Sequence, residues 1–214
     1  MLGLLRRAYR VAHSNYIYAY NLGLRQWLKT LDDYSYTKDY VTSHAQNWRV
    51  WLGDWIGKPE THFLEIGSYE GRSSVWFLQN VLTHPTSTLD CVDPFINKGS
   101  EARFDHNICR SGRARQVRKH KGPSDAILPE LPRAYFDVVY IDGSHRAADV
   151  LLDAALSWHL LKCGGLMIFD DYLWGTGKPA AQRPQTAIDL FLEAYAPRLE
   201  VIHQGYQVAV RRVG

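Results

Sequence analysis

Cysteine, net charge and long apolar runs are all scarce in this sequence, and each shortage argues against a class of protein. Only three of the 214 residues are cysteine, and none forms a C-x-x-C pair, which argues against a disulfide framework and a zinc site. The net charge of +3 does not indicate a nucleic-acid partner. No window reaches the roughly 18 apolar residues of a membrane span, and MLGLLRRAYR lacks the apolar core of a secretory signal. We therefore expect a soluble, cytoplasmic protein without a membrane span.

Length and aromatic content predict one α/β domain with an appendage. Tyrosine and tryptophan are concentrated in residues 1–60, and residues 41–56 have helical periodicity. We predict an N-terminal helical cap over residues 1–60 and the main domain over residues 61–214. The aromatic side chains should mainly pack the cap onto the domain, with a few lining a substrate pocket. The basic residues of this segment should form a solvated face, and a membrane-surface or partner helix is the weaker alternative. These residues are Arg6, Arg7, Arg10, Arg25 and Lys29.

Residues 61–71, THFLEIGSYEG, organise the rest of the chain. Strand-type residues run as far as Glu65, and Val75 and Leu78 then recur at helical spacing. Between them lies a turn made of Gly67, Ser68, Tyr69, Glu70 and Gly71. A strand that ends in glycines before a helix lets a ligand approach bare backbone N–H groups. The pattern predicts a turn that binds a nucleotide cofactor.

A second nucleotide-site feature follows about 20 residues later. Residues 88–92 read as a strand that ends at Asp93, where a carboxylate can accept hydrogen bonds from ribose hydroxyls. The alternative is that Asp93 only caps a helix or stabilises the Asp-Pro turn.

The remaining pattern predicts a parallel sheet that ends in a hairpin. Residues 136–141, FDVVYI, form the clearest strand, because a central parallel strand is apolar on both faces. Ser144 is the predicted N-cap of the next helix, which should end at the glycines of Cys163-Gly164-Gly165. The other predicted elements are strands at 116–120 and 166–169, helices at 125–131 and 187–194, and a hairpin around Gln204-Gly205. Such a hairpin requires one antiparallel strand.

Carboxylates end two of these neighbouring strands. Asp142 follows the fourth strand, and Asp170 and Asp171 follow the fifth. Ligands of open α/β sheets bind at this edge, and clustered carboxylates repel one another unless a cation or a proton intervenes. All-oxygen ligands favour Mg²⁺ or Ca²⁺, so we predict that these three acids form a metal site. The alternative is that one acid binds a cation while the others cap helices or hold arginines.

Residues 99–121 are rich in lysine and arginine. Locally this composition is typical of a nucleic-acid-binding protein, but the run lacks interleaved aromatic residues for base stacking. Edge strands also carry basic residues to prevent aggregation, so nucleic-acid binding is the weaker interpretation.

Four segments together resemble a known family. FLEIGSYEGRSS, LDCVDPF, FDVVYIDGSH and GGLMIFDDY are similar to the successive motifs of class I S-adenosylmethionine-dependent methyltransferases, in particular the metal-dependent small-molecule O-methyltransferases. The resemblance covers about residues 60–212. It implies a Rossmann-like, doubly wound sheet of seven strands, mostly parallel, with one antiparallel strand.

The resemblance also implies roles for individual residues. Glu65, Gly67 and Gly71 would form the turn beside the methionine part of the cofactor, with Ser68 and Tyr69 between them. Ser73 would meet the cofactor carboxylate, Ser124 would lie near the adenine, and Asp142 would serve both cofactor and metal. Asp171 stands where the catechol-type branch commonly has asparagine, so this chain looks more like the antibiotic-sugar O-methyltransferases.

The implied reaction needs a base. A neutral hydroxyl is a poor nucleophile, and Mg²⁺ or a similar cation lowers its pKa. His145 is the candidate general base, although a lone histidine after a strand is often only a packing residue. Tyr172 and Trp174 are candidates for lining the acceptor pocket, and packing against the N-terminal cap explains them equally well.

Methyl transfer to a hydroxyl of a small molecule is therefore the leading interpretation. The acceptor is a sugar, a phenol or another polyol, and the sequence does not identify it. A metal-independent methyltransferase acting on RNA or a nitrogen acceptor is the alternative. A nicotinamide dehydrogenase is disfavoured because the turn lacks G-x-G-x-x-G spacing. The chain is a possible homo-oligomer, since related enzymes are often dimers.

Overall fold

The computed structural model describes residues 34–214. Its α-helices are α1 Ala45–Trp51, α2 Arg72–Asn80, α3 Ser100–Arg110, α4 Ser124–Ile127, α5 Ala147–Leu160 and α6 Pro184–Tyr195. Its strands are β1 His62–Ile66, β2 Thr88–Asp93, β3 Val117–Lys121, β4 Phe136–Ile141, β5 Leu161–Phe169, β6 Leu199–Gln204 and β7 Val208–Arg212. The predictions for residues 1–33, including the basic segment from Arg6 to Lys29, lie outside the described residues.

The strands form one sheet in the order β3-β2-β1-β4-β5-β7-β6. Neighbours from β3 to β5 pair in parallel, whereas β7 is antiparallel to both β5 and β6. The prediction of a mostly parallel seven-stranded sheet with one antiparallel strand is confirmed. None of the helices in residues 34–214 has the length and hydrophobicity needed to span a membrane.

Helices cover both faces of the sheet, which is why the inner strands are apolar on both sides. On one face, Trp48 of α1 and Phe77 of α2 belong to one buried cluster. On the other face, Trp158 of α5 and Phe191 of α6 belong to a second cluster. The sheet is thus doubly wound, and its loops are collected at the two ends of the strands.

Two predicted boundaries are wrong. Helix α5 ends at Leu160, and β5 begins directly at Leu161 rather than at residue 166. Phe136 pairs with Leu161 but Val138 pairs with Leu166, so residues 162–165 form an irregularity inside the strand, where Gly164 adopts a φ of 81°. The glycines therefore serve a bulge and not a helix end.

Ser144 is not the N-cap of α5. The helix begins at Ala147, and Arg146 occupies the cap position. The Ser144 hydroxyl accepts a hydrogen bond from the Arg146 N–H and donates to Asp149. Ser144 thus stabilises the loop that precedes the helix.

The described part of the predicted cap shares the core of the main domain. Trp48 is fully buried, and its indole Nε1 donates to Gln207 Oε1 at 2.9 Å. Before α1, the chain is held by Asn107, which contacts the backbone of Ser35, and by Glu70, which accepts from Thr37. These contacts carry residues 38–44 across the carboxyl ends of the strands.

Candidate active site

A cavity of about 850 Å³ lies at the carboxyl ends of the parallel strands. Gly67, Asp93, Asp142 and Asp170 line it at the ends of β1, β2, β4 and β5. Residues 38–40 and 43–44 line it from the segment before α1. Its volume is in the range of small-molecule sites, and a crevice at this edge is where α/β sheets bind ligands.

The glycine turn after β1 is locked against the loop after β4. Gly67 has a φ of 89°, and a Cβ atom there would lie 2.0 Å from the carbonyl oxygen of Asp142. The Asp142 N–H donates to the Ile66 carbonyl at 2.8 Å. Only glycine fits between the two loops, so Gly67 fixes the position of Asp142 as well as the shape of the turn.

Asp93 joins the turn to the end of β2. Its Oδ2 accepts from the Tyr69 N–H at 2.8 Å and its Oδ1 from the Phe95 N–H at 2.5 Å. The turn-stabilising alternative is therefore seen in the structure. A carboxylate has about four acceptor positions, so Asp93, which also lines the cavity, keeps capacity for ligand hydroxyls.

Asp142 and Asp170 meet at one tyrosine. The Tyr140 hydroxyl lies 3.1 Å from Asp142 Oδ2 and 2.5 Å from Asp170 Oδ2. Burial and then the neighbouring Asp170 and Asp171 raise the pKa of Asp142 well above its usual range. Burial also raises the pKa of Asp170. Two carboxylates this close favour a shared proton or a bound cation.

Asp171 points to different partners. It has a φ of 59°, so the backbone has left strand geometry. Its Oδ2 lies 2.7 Å from His145 Nε2, and its Oδ1 accepts from the Tyr206 hydroxyl at 2.6 Å. The His145 ring also packs on Trp174, with 4.1 Å between the ring centroids.

No three acids form a ready metal site in this arrangement. Among residues 34–214, no group of three or more His, Cys, Asp or Glu side chains is placed to hold a metal ion. The predicted three-carboxylate site is instead divided into an Asp142–Asp170 pair and an Asp171–His145 pair. Both pairs lie in the wall of the same cavity.

Comparison with known proteins agrees with this architecture. A family model described as a methyltransferase domain matches residues 64–172. The chain belongs to this family. An uncharacterized protein, R132, of Acanthamoeba polyphaga mimivirus is 30% identical over 127 residues, which span 56% of each chain.

Solved structures of methyltransferases share the fold. The O-methyltransferase from Bacillus cereus in complex with SAH superposes with a TM-score of 0.65 at 17% identity, over 89% of each chain. TomG, an O-methyltransferase of Streptomyces achromogenes in complex with SAM, has a TM-score of 0.64 at 20% identity, over 82% of each chain. MycE, whose structure holds Mg and SAH, has a TM-score of 0.59 at 20% identity, covering 82% of this chain and 50% of MycE.

Several predicted cofactor residues lie behind the cavity wall. Glu65 is fully buried, receives a hydrogen bond from the Ser74 hydroxyl, and has a pKa raised by burial. Gly71 packs against Phe104 as the N-cap of α2. Ser68 and Ser73 are buried nearby and do not line the cavity. Direct cofactor contacts of these four residues stay predictions, whereas Gly67, Tyr69, Asp93, Ser124 and Asp142 do line it.

The two predicted acceptor residues have different positions. Trp174 lines the cavity, and the ammonium group of Lys178 lies 3.8 Å from the centroid of its ring. Tyr172 does not line it, because its ring is buried and its hydroxyl bonds to Asp189 at 2.8 Å and to Gln204 at 3.0 Å. Within the described residues Tyr172 contacts α6 and the end of β6, and its contact with an acceptor stays a prediction.

The structure adds residues that sequence reasoning missed. Tyr206 comes from the β6–β7 turn, and His44 stacks on it with 5.7 Å between the ring centroids. Tyr140 bridges two acids from inside β4, and Asp153 lines the cavity from α5. No local motif marks these four residues, since each depends on contacts across distant parts of the chain.

The basic run at residues 99–121 is largely paired with acids of the same chain. Arg103 contacts Glu70, Lys119 contacts Asp105, and Lys121 contacts Glu101. Asp90 pairs with both Arg118 and His120. These basic side chains are therefore engaged in ion pairs within the fold. Because their charge is partly neutralised, the nucleic-acid alternative is disfavoured.

Proposed function

We propose that this methyltransferase transfers the methyl group of S-adenosylmethionine to a hydroxyl of a small molecule. The observation that carries the proposal is the His145–Asp171 pair, which lies in the same cavity as the glycine turn and Asp93. In this proposal the glycine turn serves the cofactor and His145 is the base, and one ligand in the cavity can reach both. The SAM- and SAH-bound structures of similar fold support the choice of donor.

The histidine is arranged to accept a proton at one defined atom. Its Nε2 faces Asp171 Oδ2, so the N–H of that nitrogen donates to the carboxylate and leaves the Nδ1 lone pair for the acceptor hydroxyl. Nδ1 makes no hydrogen bond within residues 34–214. The Tyr206 hydroxyl holds the far oxygen of Asp171, and Trp174 fixes the ring plane of His145.

The reaction balances with one proton transfer. S-adenosylmethionine supplies a methyl group on a sulfonium, and attack by the acceptor oxygen breaks the C–S bond with its electron pair left on sulfur. His145 Nδ1 takes the proton of the acceptor hydroxyl. Asp171 stabilises the imidazolium that results, as a carboxylate does when it is bonded to the opposite ring nitrogen.

The other pair of acids, Asp142 and Asp170, has the oxygen ligands that a divalent cation such as Mg²⁺ prefers. Mg²⁺ is commonly bound through one or two carboxylates, with waters and substrate completing its shell. Asp142 and Asp170 would hold it, because a cation would offset the burial, and the repulsion from neighbouring aspartates, that raise the pKa of both groups. It would lower the pKa of an acceptor hydroxyl. Asp171, predicted as a third ligand, serves His145 in this proposal.

The acceptor is proposed to be small and uncharged or cationic. Asp39, Asp142, Asp170 and Asp171 line the cavity against Lys38 and two histidines, so a phosphate backbone would be repelled. This charge distribution favours a sugar, phenol or other polyol over RNA.

Methyl transfer from labelled S-adenosylmethionine to a panel of sugars, phenols and polyols tests the proposal. His145→Asn should lower kcat by roughly 10²- to 10⁴-fold, the usual contribution of a general base, while the Kd of the donor stays unchanged. His159→Asn is the matched control, because His159 lies at the end of α5 beside Arg133. Full activity of His145→Asn would rule out the assigned base.

A further inference from the structure

His44 is a residue of the cavity wall that the proposed reaction does not use. It immediately precedes α1 and ends the segment that crosses the carboxyl ends of the strands. Its ring lies between two other rings, with centroid distances of 6.1 Å to Trp48 and 5.7 Å to Tyr206. The planes of His44 and Tyr206 differ by only 18°, which is the stacked geometry that aromatic pairs favour.

The Trp48 side of this stack is fixed by the core. Trp48 is fully buried, and its indole N–H donates to Gln207 at 2.9 Å. Its ring also packs on Phe77 of α2 and on Tyr140 of β4, with centroid distances of 4.9 Å and 5.2 Å. Because the core holds Trp48 in place, it provides a rigid support for the ring of His44.

The other side of the stack is a turn residue with one important contact. Tyr206 belongs to the β6–β7 turn, and turns are more mobile than the strands they connect. Its hydroxyl donates to Asp171 at 2.6 Å. Burial, followed by the neighbouring Asp171, raises the pKa of Tyr206 far above its usual value, so the hydroxyl keeps its proton. The contact with Asp171 therefore depends on the orientation of the Tyr206 ring, which His44 covers on one face.

The segment that leads to His44 is itself anchored to the main domain. The N–H and the hydroxyl of Thr37 donate to Glu70 at 2.6 Å and 2.8 Å, and Glu70 forms an ion pair with Arg103 of α3. Asp39 lies 3.6 Å from Arg72 of α2. Polar anchors at its start and the core at its end thus set the position of this segment.

We propose that His44 is a positioning residue that acts on the base through Tyr206 and Asp171. Because this role presupposes His145 as the base, it rests on the proposed function. The His44 ring keeps the Tyr206 hydroxyl on Asp171. Asp171 in turn keeps Nε2 of His145, so that Nδ1 faces the acceptor. The segment before α1 is then part of the support of the base as well as a wall of the cavity.

Steady-state kinetics of His44→Ala, with labelled S-adenosylmethionine and the acceptor of the panel that gives the highest turnover, tests the proposal. Loss of one stacked ring should lower kcat roughly two- to tenfold, while the KM of donor and acceptor stays unchanged. His44→Phe keeps a flat ring without the imidazole nitrogens and should restore most of kcat. A His44→Phe variant as slow as His44→Ala would overturn the proposal, because a nitrogen atom and not the stack would then be needed.

A double-mutant cycle with Tyr206→Phe tests the route of the effect. Two residues that act through one contact give losses that do not add. If His44 acts through the Tyr206 hydroxyl, His44→Ala should lower kcat little further once that hydroxyl is removed. Losses that multiply in the double variant would overturn the route through Tyr206.

His203→Ala is the matched control. His203 belongs to the same hairpin and also packs on a tryptophan of α1, with 4.8 Å between its ring centroid and that of Trp51, but it does not line the cavity. Its kcat should equal that of the wild type. An equal loss in His203→Ala would show that general packing of the hairpin is responsible, which would overturn the role of His44.

Folding and function are controlled separately. Thermal unfolding shows whether each variant is folded, and if His44→Ala is not, His44→Leu takes its place, because it fills the space without a flat ring. Wild-type kcat in the substituted protein, together with a loss in His145→Asn, would overturn the role of His44 alone. Absence of methyl transfer by the wild type, or full activity of His145→Asn, would overturn the proposed function itself.

Discussion

Single carboxylates in this cavity differ according to what surrounds each one. Asp171 has a histidine and a tyrosine as donors, whereas Asp142 and Asp170 share one hydroxyl. Asp153 is buried on α5, and burial raises its pKa to about 6. Residue type alone predicted that the acids matter, but their separate roles depend on these partners.

Tyr206→Phe tests the chain of contacts that ends at His145. Loss of the hydroxyl removes one donor from Asp171, so the carboxylate holds the histidine less firmly. We expect kcat to fall roughly tenfold, in line with one hydrogen bond to a charged group, while the KM for the donor is unchanged. Steady-state kinetics measures both quantities.

Tyr195→Phe is the control for that change, because Tyr195 packs on Trp158 and Phe191 away from the cavity. An equal loss in both variants, or a Tyr206→Phe effect confined to KM, would contradict the role of Tyr206.

Asp153→Asn should stabilise the ligand-free protein in a pH-dependent way. The folded-state pKa of Asp153 is about 6 against 3.8 when unperturbed, so the folded state binds the extra proton between these values. Stability is lost as pH rises through this window. A two-unit shift corresponds to about 3 kcal/mol. We therefore expect Asp153→Asn to raise the free energy of unfolding by about 1 to 3 kcal/mol at pH 7.5.

Urea unfolding at pH 7.5 and at pH 4 checks this prediction. The stabilisation should nearly vanish at pH 4, because the buried Asp153 of the folded wild type is then protonated and as neutral as the asparagine that replaces it. A gain of the same size at both pH values would show that burial of charge is not its cause.

At the scale of elements, the turn between β1 and α2 and the loop after β4 behave as one unit. Gly67→Ala would place a methyl group 2.0 Å from the Asp142 carbonyl oxygen and force alanine to a φ of 89°. We expect the free energy of unfolding to fall by about 3 kcal/mol or more, because left-handed backbone strain and steric overlap act together. Denaturant titration measures it.

Gly53→Ala provides the comparison, since nothing lies within 4 Å of the added methyl group. Its effect should stay within about 0.5 kcal/mol. If the two alanine variants unfold at the same denaturant concentration, the two loops are not locked together as described.

The sequence predicts elements best where local pattern and packing agree. The apolar run of β4 is such a case, because a central parallel strand is apolar on both faces. The bulge at residues 162–165 was missed because a glycine pair is typical both of helix ends and of strand irregularities. Ser144 was misassigned because a serine before a helix can stabilise the loop instead of the cap.

The candidate site was predictable only in part, because some of its residues follow strand ends and others are placed by tertiary packing alone. Asp93, Asp142 and His145 follow strand ends, so topology brings them to one edge of the sheet. Tyr206 and His44 arrive from a hairpin turn and from the segment before α1, and only tertiary packing places them there. Tyr172 shows the converse, since it follows a strand end and yet is held away from the cavity by Asp189.

Across residues 34–214, the basic run at 99–121 and the aspartates of the cavity lie in different places. The lysines and arginines of residues 99–121 form ion pairs outside the cavity, and aspartates line the cavity itself. This distribution suits a cationic donor and a metal ion better than a polyanion.

Chelation should therefore affect catalysis. We expect EDTA to lower kcat at least about tenfold and Mg²⁺ to restore it, since a bound cation lowers the pKa of the acceptor hydroxyl. Asp170→Asn should lose both the activity and the response to Mg²⁺, whereas Asp171→Asn should keep a response. Undiminished turnover in EDTA would remove the metal from the account.

The most direct test of the central claim is a crystal structure of the protein with S-adenosylhomocysteine bound. We predict that the ribose hydroxyls contact Asp93 and that the sulfur points towards His145 Nδ1. A ligand bound outside this cavity, or one whose sulfur lies away from His145, would contradict the account.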